Sequence, residues 1–201
     1  MTVPSNLIPT RITQLPPVPG ALSTGSLMVV VQDGITYSTT VGDVQMAPGH
    51  RFGQFWSTQD QSLAANTAGV FTFNNSTATN TGITIESDSR ATFESAGVYH
   101  ITCSVQFINA ENTEHAAWMW FRKNGVDIPD SASKVAIPKS SVTGAAILQV
   151  TIIESFDAGQ WLEVAWAVSD ADVTAQHVDA QTSPFPAPAI PSVILAIANV
   201  A

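Results

Sequence analysis

Three carboxylates lie close together late in the chain, at Asp170, Asp172 and Asp179. Two carboxylates can hydrolyse a glycosidic bond when they stand on either side of it, and their hard oxygens suit Ca²⁺. Ser169-Asp170-Ala171-Asp172 nevertheless reads first as a turn, because Asp bonds its own backbone there. The run also lacks the spacing of an EF-hand loop. We therefore predict no catalytic residue here and keep bound calcium as an alternative.

The other reactive side chains show no spacing typical of a site. The four histidines, His50, His100, His115 and His177, do not pair in HxxxH or HxH patterns, so we predict no metal site and no cofactor. Cys103 sits in an alternating apolar run, where a small core residue is expected rather than a nucleophile. The chain has neither a glycine-rich phosphate loop nor a GxSxG elbow. We expect no enzyme activity.

The tryptophans allow two interpretations. A row of indoles can form a platform for sugars, but most of these residues have apolar neighbours within β-rich runs, which favours packing in a core or between subunits. The five residues are Trp56, Trp118, Trp120, Trp161 and Trp166.

Composition excludes several classes of partner. The formal net charge is −9 and only 11% of residues are charged, so too few cations are present to neutralise a nucleic acid backbone. We find no signal peptide and no apolar run of the roughly 20 residues that span a bilayer. We expect synthesis in a cytosol without membrane insertion.

Residues 1–50 differ from the remainder because they hold half of the prolines. Proline fixes φ and removes a donor, so Met1 to Gly20 is predicted to be an extended arm tied down on a partner surface. A β-hairpin is predicted next, with its turn at Asp33-Gly34. The apolar residues expected to attach this region to a partner are Ile8, Ile12, Leu15, Val18, Leu27, Val29 and Val31.

Residues 51–201 are predicted to form an all-β sandwich or barrel, since short β-rich runs alternate with turn residues and no window has a helical period. Turns are expected at Asn124-Gly125 and Ala158-Gly159. The predicted strands are near Gln54–Ser57, Gly69–Phe73, Ile83–Glu86, Ala91–Phe93, Val98–Asn109, His115–Lys123, Ser133–Ile137, Ala145–Phe156, Trp161–Val168, Val173–Val178 and Ser192–Val200.

The apolar pattern within these runs predicts which faces are covered. Val98–Asn109 alternates cleanly, with one apolar and one polar face. The runs around Trp118–Phe121, Ala145–Ile153 and Val193–Ile197 are apolar on both faces, and such strands are covered on both. The second cover must come from another subunit or from a neighbouring segment, and we favour a homo-oligomer.

Several short motifs resemble the tumour necrosis factor and complement globular-head superfamily. They are Phe93-x-x-x-Gly97-Val98-Tyr99, Trp120-x-x-Lys123-Asn124-Gly125, and Phe156-Asp157-Ala158-Gly159-Gln160-Trp161, where Gln160 replaces a common Asp, followed by the apolar final strand. The resemblance implies an antiparallel jelly roll of about ten strands that forms a homotrimer, with its last strand near the trimer axis. The residues expected at the interface are Trp118, Trp120, Ile147, Val193, Leu195 and Ile197.

The N-terminal stretch Ile12-Thr13-Gln14-Leu15-Pro16-Pro17, with Leu27–Gly34 and Thr40–Val44, resembles the start of tailed-phage virion proteins. The resemblance implies a virion structural protein, most specifically a capsid decoration or cement protein that attaches through residues 1–50. Its partners would be the major capsid protein or neck and tail components. The alternative is a fibre-tip adhesin that binds a host surface glycan or protein.

Overall fold

A computed structural model describes residues 25–33, 35–40 and 51–200 of the chain. The chain divides into two compact units, 1–48 and 49–201, which are described separately below. Every regular element in the described ranges is a β-strand, and none of the described residues belongs to a helix able to cross a membrane. The predicted proline-rich arm, with Ile8, Ile12, Leu15 and Val18, lies outside these ranges.

The first unit contains a two-stranded antiparallel hairpin of β1 (Leu27–Gln32) and β2 (Ile35–Thr40). Gln32 pairs with Ile35, so the turn lies where the sequence predicts it. Asp33 has φ of +52°, a left-handed conformation that Asp tolerates better than most residues. The predicted hairpin is therefore confirmed.

The second unit is a sandwich of two antiparallel sheets, which confirms the predicted fold class. In sheet 1 the strand order is β11-β10-β14-β8-β7, with β12 beside β10 and β5 beside β14. The bounds are β5 Gly69–Val70, β7 Ile83–Glu86, β8 Arg90–Phe93, β10 His115–Lys123, β11 Val126–Asp127, β12 Ser133–Ile137 and β14 Trp161–Val168.

Sheet 2 is built around the long strand β9 (Gly97–Asn109). One edge of β9 pairs with β13 over almost its whole length, and the other edge pairs with β16 and then β15. The order continues from β16 to β3 and β6, and from β15 to β4. The bounds are β3 Phe52–Ser57, β4 Gln61–Ser62, β6 Asn75–Ser76, β13 Ala145–Phe156, β15 Val173–Ala175 and β16 Val193–Asn199.

The strands outnumber the roughly ten expected from sequence. The unpredicted ones are β4, β6 and β11, each of two residues. A two-residue strand is too short to show alternation, and its pairing partner alone makes it a strand. Both predicted turns carry residues with positive φ, namely Asn124 and Gly125 in one and Gly159 in the other.

The core lies between the two sheets and is rich in aromatic rings. Phe71 stacks on Trp166 with ring centroids 4.6 Å apart, and Phe93 stacks on Phe156 at 4.0 Å. Cys103 is fully buried as a free thiol, as its place in the alternating run predicts. The core is complete within one chain, so the sandwich does not depend on an oligomer for its core.

Candidate functional site

The outer face of sheet 2 carries no Asp, Glu, Lys or Arg on its four long strands. The strands β13, β9, β16 and β3 lie side by side, and the residues between their core positions point away from the sandwich. None of these outward residues is Asp, Glu, Lys or Arg. They are Phe52, Gln54, Trp56, His100, Thr102, Ser104, Gln106, Ile108, Ala145, Ile147, Gln149, Thr151, Ile153, Ser155, Ile194, Ala196 and Ala198.

This uncharged face mixes exposed apolar side chains with small neutral ones. Ile147 and Ile153 are 68% and 65% exposed, and Phe52 at the other side of the face is 40% exposed. In the middle, the hydroxyls of Thr102 and Thr151 are hydrogen bonded to each other at 3.0 Å. The polar groups present are hydroxyls and amides, which cost far less to bury than charges.

The arrangement suits contact with another protein surface. Apolar area removed from water stabilises an association by about 25 cal/mol per Å². Charged residues are depleted at the centres of protein interfaces, and here they are missing from a whole sheet face. The charged side chains of this unit instead lie on sheet 1 and in the loops, apart from Glu154 of β13, which points away from this face and pairs with Lys123.

The structure separates the six residues expected at the trimer interface. Val193, Leu195 and Ile197 are buried in the core of their own chain, which leaves their side chains almost no exposed surface for contact with another subunit. The outward positions of β16 are instead Ile194, Ala196 and Ala198. When a strand is apolar on both faces, its sequence alone does not show which face points inward. In β16 the bulkier series of side chains points inward.

Ile147 does lie on the uncharged face, while Trp118 and Trp120 lie on the outer face of sheet 1. Ala117, Met119 and Phe121 are the core positions of the same strand. Part of the cover over the two indoles comes from their own chain. The Lys134 ammonium lies 5.0 Å from the Trp118 ring centroid, and the Arg122 guanidinium lies 5.5 Å from that of Trp120.

The two indoles line a groove of about 420 Å³ with acidic neighbours. Its other lining residues are Asp127, Ile128, Asp130, Ala132 and Ala167. Trp120 Nε1 donates to Asp127 Oδ1 at 2.7 Å, and Arg122 Nε donates to the same oxygen at 2.6 Å. These bonds lower the pKa of Asp127, and the bond from Arg122 has a larger effect than the bond from Trp120. The groove thus presents ordered indoles beside an ionised carboxylate.

The residues expected at the interface leave out five large apolar members of the uncharged face, namely Phe52, Trp56, Ile108, Ile153 and Ile194. The available signal was the pattern of β13, whose outward series includes Ile147 and Ile153 while its inward series holds Leu148 and Val150. Strand β13 pairs with β9, and β3 pairs with β16. These pairings join segments that are distant in sequence, so a local pattern does not predict them.

The attachment residues in the hairpin are exposed where they are described. Leu27 is 76% exposed and Val29 is 69% exposed, and both lie on one face of the hairpin. Ile35 and Tyr37 belong to the other face and are also exposed. Of Val31 only the backbone pairing with Thr36 is described.

The three aspartates expected as a turn or calcium site do not converge. Asp170 Oδ1 accepts the Asp172 N–H at 3.0 Å, which is the local bonding expected of a turn. Asp179 lies elsewhere, with its carboxylate 3.9 Å from His177 Nδ1. The described residues do not bring these carboxylates together as a group.

Comparison with known proteins identifies the fold. No protein-family model and no curated protein matches the sequence. Solved structures do match, among them "Structure of Eiger TNF from S. frugiperda", with a TM-score of 0.50 and 9% identity. The match covers 76% of this chain and 94% of that one. The sandwich is thus a jelly roll like that of a tumour necrosis factor, in agreement with the fold that the motifs imply.

Proposed function

We propose that the protein is a structural component of a phage virion, assembled in the host cytoplasm as a homotrimer. In the most specific form of the proposal it is a capsid decoration or cement protein. The jelly roll forms a knob, and residues 1–50 attach it to other virion proteins. Attachment and display need shape and surface, and no catalytic group.

The observation that carries the trimer is the uncharged outer face of sheet 2. A face that exposes Phe52, Ile147 and Ile153 without a charged residue favours coverage by a second copy. The tumour necrosis factor-like fold supports three copies, since the superfamily resemblance implies a trimer with the last strand near its axis. Here that strand, β16, contributes Ile194, Ala196 and Ala198 to the uncharged face.

The hairpin supports attachment through the N-terminal region. A two-stranded hairpin is not stable alone in water, and this one exposes apolar residues on both faces, among them Leu27 and Tyr37. Its only charged side chain in the described ranges is Asp33, at the turn. The resemblance of the surrounding segments to the start of phage virion proteins supports a virion surface as the partner.

Light scattering of the full chain tests the trimer. We expect about three times the 21.2 kDa chain mass. The double variant Ile147→Glu with Ile153→Glu should give a folded monomer, because formation of the trimer would bury unpaired charges from each subunit. Val126→Glu is the matched control, since Val126 is 71% exposed on sheet 1 and should leave the trimer intact. A monomeric wild type contradicts the proposal.

Removal of residues 1–48 tests the attachment region. Undecorated capsids should bind the full chain and fail to bind the truncated chain in co-sedimentation. Circular dichroism should show the truncated chain still folded, because the sandwich is a compact unit of its own. Undiminished capsid binding by the truncated chain would contradict attachment through this region.

A second candidate function is favoured by the groove at Trp118 and Trp120. Indole faces beside a carboxylate are the kind of site that binds sugars, which would suit a knob at a fibre tip that binds a host glycan. In that case the purified knob competes with phage adsorption, and Trp118→Ala with Trp120→Ala removes the competition. An equal effect of wild type and variant would speak against the groove.

A further inference from the structure

Three side chains from different parts of the sequence converge at one end of the sandwich. Glu111 lies in the loop between β9 and β10, His115 is the first residue of β10, and Asp170 follows β14. One ligand atom from each lies within 4.8 Å of the other two. His115 Nε2 is 3.2 Å from Glu111 Oε2.

A buried amide fixes the loop that carries Glu111. Asn109 is only 1% exposed, and its Nδ2 donates to the carbonyls of Thr113 at 2.7 Å and Pro138 at 3.1 Å. Its Oδ1 accepts the Glu111 N–H at 2.9 Å. The buried side chain of Asn109 therefore holds the loop in place.

The other two groups are positioned just as directly. Ser169 Oγ accepts the Ala116 N–H at 2.8 Å, which ties the segment after β14 to the start of β10. The His115 side chain is only 13% exposed, so its ring has little freedom to turn away. Asp170 lies at a partly buried position next to this tie.

The charges of the cluster do not cancel. The two carboxylates contribute two negative charges, and one imidazole supplies at most one positive charge. Among the described residues, neither Glu111 nor Asp170 forms a salt bridge with Lys or Arg. Two like charges held this close favour the uptake of a cation.

We propose that Glu111, His115 and Asp170 bind a divalent transition-metal ion of the Zn²⁺ type. One imidazole nitrogen and two carboxylate oxygens are ligands that Zn²⁺ accepts, with water completing the shell. The His115–Glu111 separation of 3.2 Å already suits two ligands of one ion. An all-oxygen cation such as Ca²⁺ gains little from the imidazole.

The ion would join the two sheets. Glu111 is two residues beyond β9 of sheet 2, whereas His115 and Asp170 belong to or follow strands of sheet 1. A ligand that binds only the folded chain stabilises it by mass action. Occupied sites should therefore hold this end of the sandwich together.

Calorimetric titration of the untagged, chelator-treated full chain with ZnCl₂ tests the site. We expect one Zn²⁺ per chain and a rise in melting temperature on binding. His115→Ala should weaken binding by roughly tenfold or more, and so should Glu111→Gln, which preserves shape at an exposed position. His177→Ala is the matched control, because it removes a histidine that lies outside both the cluster and the uncharged face, beside Asp179, and should bind Zn²⁺ as the wild type does.

Several results would overturn the proposal. These are the absence of saturable Zn²⁺ binding, unchanged affinity in both His115→Ala and Glu111→Gln, or the same loss in His177→Ala as in His115→Ala. Binding of CaCl₂ as tight as that of ZnCl₂ would also overturn it, since the nitrogen ligand would then play no part. Should His115→Ala fail to fold, Glu111→Gln alone decides.

Discussion

At the scale of single residues, burial decides the chemistry of the reactive groups. Cys103 lies in the middle of β9 with no exposed surface, and burial raises the pKa of its thiol. The thiolate is the nucleophilic form, so the folded chain holds this residue in an inert state. Cys103 packs in the core as a small apolar residue, as the alternating run predicts.

A thiol reagent should therefore fail to label Cys103 in the native protein. We expect 5,5′-dithiobis(2-nitrobenzoic acid) to react with it only as fast as the protein unfolds, and rapidly once urea is added. Absorbance at the thiolate product's wavelength measures both rates. Rapid labelling of the folded chain would contradict the buried position.

Tyr99 contributes to the stability of the fold, and this contribution is lost at alkaline pH. Burial raises the pKa of its hydroxyl, partly offset by the charge of Arg51, and the hydroxyl donates to the Ser95 carbonyl at 2.8 Å. In the unfolded chain the group ionises near pH 10. The raised pKa therefore stabilises the fold fully below about pH 10, and this contribution is lost as pH rises towards the folded value.

Tyr99→Phe should remove this part of the pH dependence. We expect the variant to be less stable by about 1 kcal/mol near neutral pH, since one hydrogen bond is lost, and to show a shallower decline than the wild type above pH 10. Urea unfolding at several pH values measures both effects. Parallel declines in the two proteins would show that Tyr99 does not contribute.

At the scale of elements, β16 shows what a sequence pattern can and cannot reveal. Its inward residues Val193, Leu195 and Ile197 pack in the core, and its outward residues join the uncharged face. The pattern correctly predicts a strand with two apolar faces. It does not assign the faces, because that depends on the pairing with β9 and β3, which are distant in sequence.

Leu195→Ala should consequently destabilise the fold itself. Removal of a fully buried leucine side chain costs about 2 to 5 kcal/mol of unfolding free energy. Ala196→Ser, the next residue and exposed on the outer face, should change it by less than about 0.5 kcal/mol. Chemical denaturation of both variants measures the contrast. Equal stabilities would contradict the burial of Leu195 in the core.

The candidate sites differ in how far the sequence foretells them. Ile147 on the uncharged face follows from the two apolar series of β13, and the hairpin turn follows from Asp33-Gly34. The cluster of Glu111, His115 and Asp170 does not follow, because Asp170 is remote from the other two and only the packing of loops from both sheets joins them. Spacing motifs detect sites built on one element and miss those assembled from several.

At the scale of the whole molecule, charge is distributed unevenly between the two sheets. Sheet 1 carries Arg90, Arg122, Lys134 and Glu163 on its strands or at their ends, while the outer face of sheet 2 carries no such group. The proposed trimer would thus form through apolar and neutral polar contacts. Its charged sheets would remain in contact with solvent.

The proposed trimer should accordingly respond weakly to salt. Between 0.1 M and 1 M NaCl the Debye length falls from roughly 10 Å to 3 Å, yet no charges on the uncharged face are there to be screened. Sedimentation equilibrium should give dissociation constants within about threefold of each other, since weak apolar strengthening is the only remaining effect. Dissociation at high salt would place ion pairs at the interface.

The core described above is finished within one chain, because both sheets contribute to it and its inward residues need no partner. In the proposed trimer, each chain would then fold in a first-order step and associate with other chains afterwards. Dilution would then slow assembly and leave the folding rate unchanged. Newly made chains would accumulate as folded monomers, and the concentration of these monomers would set the rate of assembly.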